Sequence, residues 1–307
     1  MTVWDADAAS EHSYELGEGV WWDADRRILR RVDILGARIY SGILQDGTVI
    51  EGGSWSLVPE PASIGAIAAP AFLDGVGGTL VAARKALVHV DSDGHQRPLV
   101  WVIDDDEPRR INDGTTDPAG RYLVGSAPLG GRTFSERLWL VDHDLSVRVL
   151  DDDLGLSNGI AFSPDGTTLY SVDTFNHVVR ARPYDAADGS VGERRDHVRV
   201  DDGYPDGIAV DAEGCLWVAV FGKGEVRRFA PDGALLDVVR TPQAPQATNV
   251  ALAGDDLRTL VITTAREDMT DADVAAHPAS GRLFTTRVDV PGVPLRPWRG
   301  ESKGTTS

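Results

Sequence analysis

Long hydrophobic runs are missing from this sequence. No stretch approaches the roughly 20 consecutive apolar residues that a membrane-spanning helix requires. Residues 1–9 have no apolar centre flanked by basic residues, so we expect neither a signal peptide nor a membrane anchor. These absences predict a cytoplasmic protein that has no membrane partner.

Cysteine is almost absent too, because Cys215 is the single one. One cysteine cannot form an internal disulfide, which agrees with a reducing compartment. Since Cys215 lies in an apolar strand pattern, we interpret it as a small buried side chain, with a reactive thiol as the alternative.

Basic residues are few relative to acidic ones: 30 Lys and Arg stand against 48 Asp and Glu, a formal net charge of -18. No basic stripe is available to neutralise phosphates, which argues against a nucleic-acid partner. The negative charge could raise the local concentration of cations. We interpret the acidic runs 104–107 and 151–153 mainly as solvated surface.

Helical periodicity is scarce, and one or two helical turns are predicted only within residues 268–276. Signatures of two common hydrolase chemistries are missing as well. Ser157 lies in Leu-Ser-Asn-Gly rather than in a Gly-x-Ser-x-Gly turn, and the seven histidines show no metal-ligand spacing. We place His12, His177 and His277 on the surface or in loops.

The strongest pattern present is a repeat, and residues 206–240 are its clearest copy. Turn signals at 211–214 and 222–224 separate short apolar-rich runs, as in antiparallel strands joined by hairpins. The four predicted strands are 208–210, 215–221, 226–229 and 235–239. Such a unit has about the length of one propeller blade.

The repeat recurs along nearly the whole chain. Its copies begin at residues 18, 112, 158, 206 and 249, and a sixth fits residues 64–90, where 69–75 resembles a short insertion. We therefore predict an all-β fold, a six-bladed β-propeller with four-stranded antiparallel blades around a central metal-binding channel. Residues 1–292 would form this single domain, and the tail 293–307 is expected to be partly disordered. A strand before Glu18 should complete the last blade and close the ring.

Oxygen-bearing side chains open the innermost strand in five copies: Glu18, Asn112, Asn158, Asp206 and Asn249. In a propeller these positions share one face and point towards the central channel. Carboxylate and amide oxygens suit a hard divalent cation, and two carboxylates brought together without one would repel each other. The pattern predicts a metal site. The alternative for each residue is turn capping, in which the side chain accepts a backbone N–H.

A second set of positions lies fifteen residues further on, where each second strand ends: Asp33, Ala127, Asp173 and Phe221. The two aspartates are expected either to orient the metal-binding asparagines or to cap turns. The other two would line the mouth of the channel.

Arg110 and Tyr204 each precede a member of the first set by two residues, so their side chains should also reach the channel. We include Tyr204 and Phe221 among the candidate substrate-binding residues. Arg110 could hold a substrate oxygen, or it could pair with Asp104 or Asp105 at the surface.

These segments carry a family resemblance. Leu16-Gly-Glu-Gly, Arg110-Ile-Asn-Asp-Gly, Leu156-Ser-Asn-Gly and Pro205-Asp-Gly resemble the gluconolactonase family, whose relatives are regucalcin (senescence marker protein) and the luciferin-regenerating enzymes. The resemblance extends from about Leu16 to Gly292 and includes the closing segments 263–266 and 281–284.

The resemblance implies roles for individual positions. Glu18, Asn158 and Asp206 would bind one divalent metal ion (Ca, Zn, Mg or Mn), and Asp206 would also be the catalytic general base. Asn112 would bind substrate beside the metal, and Arg110 would contact the substrate's hydroxyl or carbonyl oxygens.

The chain departs from the sugar-lactonase pattern in the loop after Gly125. In this loop, the pattern that several sugar-binding relatives resemble has Met followed shortly by an acidic residue, which holds sugar hydroxyls. Here Ala127 and Gly130 stand at those places. The sequence therefore does not predict this mode of sugar recognition, although the metal-site residues are intact.

The resulting prediction is a metal-dependent, gluconolactonase-like carboxylic ester hydrolase that opens a lactone, with a sugar lactone as one candidate. A cation would polarise the lactone carbonyl, and a carboxylate would deprotonate the attacking water. A phosphotriesterase-like hydrolase on the same scaffold and a non-catalytic calcium-binding propeller remain as alternatives. The predicted partner is a small-molecule substrate, and the oligomeric state is not predicted.

Overall fold

Strands make up nearly all of the regular structure. The computed structural model describes residues 1–59, 63–73 and 75–300, without the side chains of residues 67–70. The strands in chain order are β1 (Thr2–Asp5), β2 (Asp7–Ala8), β3 (Gly17–Asp23), β4 (Ile28–Asp33), β5 (Arg38–Gln45), β6 (Thr48–Trp55), β7 (Ile64–Leu73), β8 (Val76–Ala83), β9 (Ala86–Asp91), β10 (Gln96–Trp101), β11 (Arg109–Thr116), β12 (Tyr122–Pro128), β13 (Glu136–Val141), β14 (Val147–Leu154), β15 (Ser157–Phe162), β16 (Thr168–Asp173), β17 (Val178–Asp185), β18 (Ser190–Val191), β19 (Arg195–Arg199), β20 (Tyr204–Val210), β21 (Leu216–Phe221), β22 (Glu225–Phe229), β23 (Leu235–Arg240), β24 (Ala247–Ala253), β25 (Thr259–Thr264), β26 (Phe284–Arg287) and β27 (Trp298–Gly300).

The described strands form six sheets that correspond to six blades. In chain order the blades are β3–β6, β7–β10, β11–β14, β15–β17 with β19, β20–β23, and β24–β26 with β2. Each innermost strand contacts the innermost strand of the next blade, and β24 contacts β3 again. The ring is therefore closed, and the predicted six-bladed propeller is confirmed.

The clearest predicted repeat corresponds to the fifth blade, β20–β23, with each strand within a few residues of its predicted limits. Asp211 fixes its first turn, because its Oδ1 accepts the backbone N–H groups of Glu213 and Cys215, each at 3.0 Å. Gly214 takes a φ of 79°, which favours glycine. The Asp-x-x-Gly pattern therefore predicts this hairpin for a physical reason.

The N-terminal segment closes the ring. Asp7 and Ala8 of β2 pair antiparallel with Thr285 and Phe284 and form the outer strand of the sixth blade, as expected from the sequence. A further strand, β1, was not predicted. It pairs in parallel with β23 and ties the same segment to the fifth blade.

The chain's last described residues extend the second blade. Where the sequence suggested an insertion at 69–75, β7 and β8 form a lengthened hairpin. The strand β27 pairs in parallel with Ala71–Leu73 of β7, and Trp298 within it is fully buried. Residues 293–300 of the predicted tail thus lie against the propeller, whereas residues 301–307 are outside the described part.

Buried apolar side chains fill the spaces between neighbouring blades. Trp217 of β21 and Ile262 of β25, for example, belong to one cluster between the fifth and sixth blades. Cys215 is buried, in agreement with its interpretation as a small core residue, and burial raises the pKa of its thiol.

The interpretation of residues 151–153 as solvated surface is wrong for Asp151. Its side chain is 7% exposed and pairs with Arg194 at 2.8 Å and with the buried Arg182.

The helix predicted within 268–276 is confirmed as α1 (Asp271–Ala276). Thr270 begins it with a capping box, in which its side chain accepts the Asp273 amide at 3.2 Å and the Asp273 carboxylate accepts the Thr270 amide at 2.9 Å. In the described part of the chain, the structure contains no helix of the length and apolarity that crossing a membrane requires.

Candidate metal centre and channel mouth

A bulge interrupts each innermost strand at the level of the candidate residues. Between Pro205 and Ile208, β20 advances three residues while β21 advances two, and β3, β11, β15 and β24 show the same offset. The extra residue bends a strand and redirects its side chains. Asn158 and Asp206 lie within their bulges, and Glu18 directly precedes the bulge of β3.

The second blade contributes only backbone at this level. Its bulge is Gly65, between Ile64 and Ala66. A Cβ atom at Gly65 would lie 2.5 Å from the carbonyl oxygen of Ile111 on the neighbouring strand, so the close approach of the two strands requires glycine. Five blades therefore supply side chains to the channel at this level.

The five predicted side chains are all buried, with exposures between 5% and 7%: Glu18, Asn112, Asn158, Asp206 and Asn249. The carboxyl groups of Glu18 and Asp206 lie within hydrogen-bonding distance of each other. Asn249 donates from Nδ2 to Glu18 Oε2 at 2.8 Å, and the Gly19 amide donates to the same oxygen at 3.0 Å. The first and fifth blades thus meet through their carboxyl groups.

Two oxygens at this centre have no hydrogen-bond donor among the described residues: Asn158 Oδ1 and Asp206 Oδ1. Asn158 is held through its other amide atom, because Nδ2 donates to Thr174 Oγ1 at 3.2 Å and that hydroxyl donates to the Pro205 carbonyl at 2.8 Å. A buried oxygen without a donor is costly. A cation placed between the two oxygens would remove that cost.

Carboxyl groups buried together raise one another's pKa values. Burial and then the charge of Asp113 raise the pKa of Glu18 to about 8. Burial, followed by the charges of Glu18 and Asp113, raises the pKa of Asp206 well above its usual range. These groups cannot all ionise near neutral pH without a compensating cation. Carboxylate and amide oxygens from Glu18, Asn158 and Asp206 fit a divalent metal ion.

Asp113 is a residue of this centre that sequence reasoning missed. Its side chain is buried, its Oδ1 accepts the Gly114 amide at 2.7 Å, and burial raises its pKa to about 6. In the first, fourth and fifth blades, glycine occupies the equivalent position after the candidate residue. In the third blade, Asp113 replaces the glycine that follows the candidate residue in those blades. This difference between the repeats could have identified Asp113.

Arg110 and Asn112 form a hydrogen-bonded pair beside the carboxyl groups. Arg110 Nη1 donates to Asn112 Oδ1 at 2.7 Å, and Asn112 Nδ2 donates to the Ser157 carbonyl at 3.1 Å. Burial lowers the pKa of Arg110, and the charges of Glu267 and Glu18 oppose this shift. Arg110 therefore faces the channel.

The surface ion pair that was the alternative for Arg110 is not found, because Arg110 makes no ion pair with Asp104 or Asp105 in the described part of the chain.

Glu267 was also missed by the sequence reasoning. It follows the closing Thr-Thr-Ala-Arg segment, and burial raises the pKa of its carboxyl group while Arg110 opposes the shift.

Asp33 and Asp173 cap turns at the ends of β4 and β16. Asp33 accepts the backbone N–H groups of Glu15 and Leu16 at 3.0 and 3.1 Å. Asp173 accepts the Gly155 N–H at 3.0 Å and pairs with Arg180 at 2.9 Å. Both fix the chain just before a strand that carries a candidate ligand, but neither bonds to the ligand side chain.

Aromatic side chains lie at the mouth of the channel. Tyr204 and Phe221 pair across β20 and β21, and both are half-buried. The ring of Tyr204 lies 4.7 Å from that of His177, whose Nδ1 is 2.7 Å from the Gly203 carbonyl oxygen. His177 is in a loop, as expected, but this loop is at the mouth. Ala127, opposite Arg110 on β12, is buried.

A second group of possible metal ligands lies on the outer turn of the second blade. Ligand atoms of Asp91, Asp93 and His95 are within 4.8 Å of one another. Asp91 Oδ1 already accepts the N–H groups of both other residues, at 2.9 and 2.8 Å, and its Oδ2 lies 3.0 Å from His95 Nδ1. These contacts account for the turn without an ion.

Comparisons with known proteins agree with this architecture. Residues 16–266 match the family described as SMP-30/Gluconolactonase/LRE-like region. The chain is 37% identical to the 6-deoxy-6-sulfogluconolactonase of Pseudomonas putida, over 90% of this chain and 92% of the relative. It is 30% identical to regucalcin of Gallus gallus, over 94% and 96% of the two chains. The solved structure of a calcium-binding protein, regucalcin, from Agrobacterium tumefaciens superposes with a TM-score of 0.88 at 28% identity, covering 97% of this chain and 99% of that one.

Proposed function

Because this chain belongs to the SMP-30/Gluconolactonase/LRE-like family, we propose that it is a divalent-metal-dependent lactonase that opens a sugar lactone. The observation that carries the proposal is the buried centre in which the carboxyl groups of Glu18 and Asp206 adjoin and two oxygens lack donors among the described residues. The name of the Pseudomonas putida relative supports a sugar lactone as the substrate class.

Glu18, Asn158 and Asp206 would hold the metal ion. When bound, a divalent cation supplies Lewis-acid polarisation of the lactone carbonyl. The oxygen donors suit Ca, Mg or Mn, and Zn also accepts carboxylate ligands. The likeness to a calcium-binding regucalcin supports a divalent ion.

Asp206 is the proposed general base. It accepts a proton from the water whose oxygen attacks the carbonyl carbon, and the ring C–O bond then breaks. The proton passes to the departing ring oxygen, so the product is the open hydroxy acid and Asp206 is regenerated. For Asp206 to serve as both ligand and base, one carboxylate oxygen must face the metal and the other the water.

Arg110 and Asn112 would position the lactone. They lie beside the carboxyl groups as a fixed pair, linked by the 2.7 Å hydrogen bond. Arg110 has further N–H groups that can donate to a substrate oxygen. Tyr204 and Phe221, at the mouth, would contact the rest of the substrate.

The proposal is tested with one preparation that is stripped of metal by a chelator and reloaded with Ca, Mg, Mn or Zn separately. Each form is assayed against sugar lactones, simple aliphatic lactones and organophosphate triesters. We expect hydrolysis of sugar lactones that chelation abolishes and at least one metal restores. Faster triester hydrolysis would identify a phosphotriesterase-like enzyme instead. Tight metal binding without turnover of any ester would indicate a calcium-binding propeller.

A further inference from the structure

Arg132 is held at the mouth of the channel by side chains from two other blades. Its Cζ lies 4.3 Å from the ring centroid of Phe175 and 5.6 Å from that of Tyr204, and its Nη2 donates to the Tyr204 hydroxyl at 3.2 Å. Stacking on aromatic rings fixes the plane of a guanidinium and leaves its edge available for hydrogen bonds. Arg132 is therefore a positioned cation that remains exposed to solvent.

The loop that carries Arg132 is anchored independently of it. Glu136 accepts hydrogen bonds from Ser126 Oγ at 2.6 Å and from Thr133 Oγ1 at 3.0 Å. Arg109 Nη1 lies 3.7 Å from the same carboxylate and donates to the Ser135 carbonyl at 2.6 Å. Within residues 126–135, Arg132 is the one charged residue. It makes no ion pair within the described part of the chain, so its charge is not neutralised locally.

Both aromatic partners of Arg132 are linked to the candidate ligands. Tyr204 precedes Asp206 by two residues on β20, a separation of at most about 6.7 Å along a strand. Phe175 follows Thr174, whose hydroxyl accepts the amide of Asn158. Arg132 is therefore held, through Tyr204 and Phe175, at the mouth of the channel that contains the candidate ligands.

We propose that Arg132 recognises an anionic substituent, a sulfonate, phosphate or carboxylate, at the end of a sugar lactone remote from the reacting carbonyl. This inference rests on the proposed lactonase function. A guanidinium can donate two parallel hydrogen bonds to such a group. In a chain with a net charge of -18, an anionic substrate needs a local cation of this kind at the entrance.

The test compares Arg132→Gln with the wild type on four lactones that differ at the sixth carbon: glucono-1,5-lactone, and its 6-sulfo, 6-phospho and 6-carboxylate counterparts. We expect KM for at least one anionic lactone to rise about 10- to 100-fold, from the loss of a charge-assisted hydrogen bond. The kcat/KM for the neutral lactone should change less than about twofold, and Arg132→Lys should recover part of the loss. The lactone that loses most identifies the anion.

Arg137→Gln is the matched control, because it also removes one positive charge from the third blade, but Arg137 is paired with Glu107, at 3.3 Å. It should leave the preference among the lactones unchanged. Equal losses on neutral and anionic lactones in Arg132→Gln, or the same shift in Arg137→Gln, would overturn the proposal.

If the wild type opens none of these lactones, the proposed function fails but Arg132 is still tested by binding. Calorimetry with the Mn-loaded protein would compare gluconate with 6-sulfogluconate and 6-phosphogluconate. Tighter binding of an anionic acid that is lost in Arg132→Gln would support the role of Arg132. Equal affinities in both proteins would refute it.

Discussion

Two pairs of carboxylates on the first and second strands of the blades have opposite surroundings. Asp33 and Asp173, at the ends of second strands, are surrounded by donors: Asp33 by three backbone N–H groups, and Asp173 by a backbone N–H, an amide and an arginine. Glu18 and Asp206, at the bulges of first strands, are buried against each other. Asp206 Oδ1 has no donor in the described part of the chain.

In this fold, different carboxylates serve stability and chemistry. Carboxylates that the backbone satisfies hold the turn in place and need no further partner. Carboxylates placed at a bulge face like charges and so retain a demand for a cation. The first pair should therefore affect folding whether or not metal is present, and the second should affect metal binding and turnover.

The largest expected effect is the loss of turnover in Asp206→Asn. This change keeps an oxygen donor but removes the proton acceptor, so kcat on a lactone should fall about 10²- to 10⁴-fold while much of the metal is retained. Metal content and kcat are measured on the same preparation. A fully metallated Asp206→Asn enzyme with near-normal kcat would assign the base to another group.

Asn112→Ala removes a positioning group rather than a base. It should retain metal and act mainly through a higher KM. Asp173→Asn, which alters a turn cap, should leave kcat and KM close to those of the wild type.

The next effect is on metal-linked stability in Glu18→Gln. An ion that binds only the native state stabilises it by about 2.7 kcal/mol at a hundredfold excess over Kd. Thermal melts with and without metal should show this gain in the wild type and little of it in Glu18→Gln. If the variant keeps the full metal-dependent shift in Tm, Glu18 is not a ligand.

A smaller effect is expected from Asp33→Ala, which leaves the N–H groups of Glu15, Leu16 and Gly36 without their acceptor. Loss of these bonds should cost about 1–3 kcal/mol of unfolding free energy. Urea titrations should give the same loss in metal-free and metal-loaded protein. A loss that occurs only with metal would place Asp33 among the groups that support the metal instead.

The last expected effect is a pH dependence of the stability of the metal-free protein. The folded pKa of Glu18 is about 8 and that of Asp113 about 6, both above their ordinary values. Groups raised in this way stabilise the fold when protonated, so stability should fall as pH rises from about 4 to about 8, by up to about 1.4 kcal/mol per pH unit and group. Urea titrations across this range test the slope. Bound metal should reduce the slope of stability against pH. Equal slopes with and without metal would contradict the proposed metal site.

The fold could be predicted because its signals are local. The Asp-x-x-Gly turns at Asp117 and Asp211 each combine a side-chain acceptor with a glycine of positive φ, and they form the equivalent hairpin in the third and fifth blades. Strand β27 was missed because its pairing with Ala71–Leu73 joins segments more than 200 residues apart.

The metal centre could be predicted only in part. Repeat alignment identified Glu18, Asn158 and Asp206 as equivalent positions, but it could not show the bulges, which depend on pairing between strands. Asp113 was missed because it interrupts the repeat. The stacking of Arg132 on Phe175 depends on two blades meeting in space, and no local pattern encodes that contact.

The most direct test of the central claim is a crystal structure of the Mn-loaded protein with anomalous scattering recorded for manganese. We expect a manganese peak bound by oxygens of Glu18, Asn158 and Asp206, at ligand distances of about 2.0–2.6 Å. A peak confined to Asp91, Asp93 and His95, with none between Glu18 and Asp206, would contradict it.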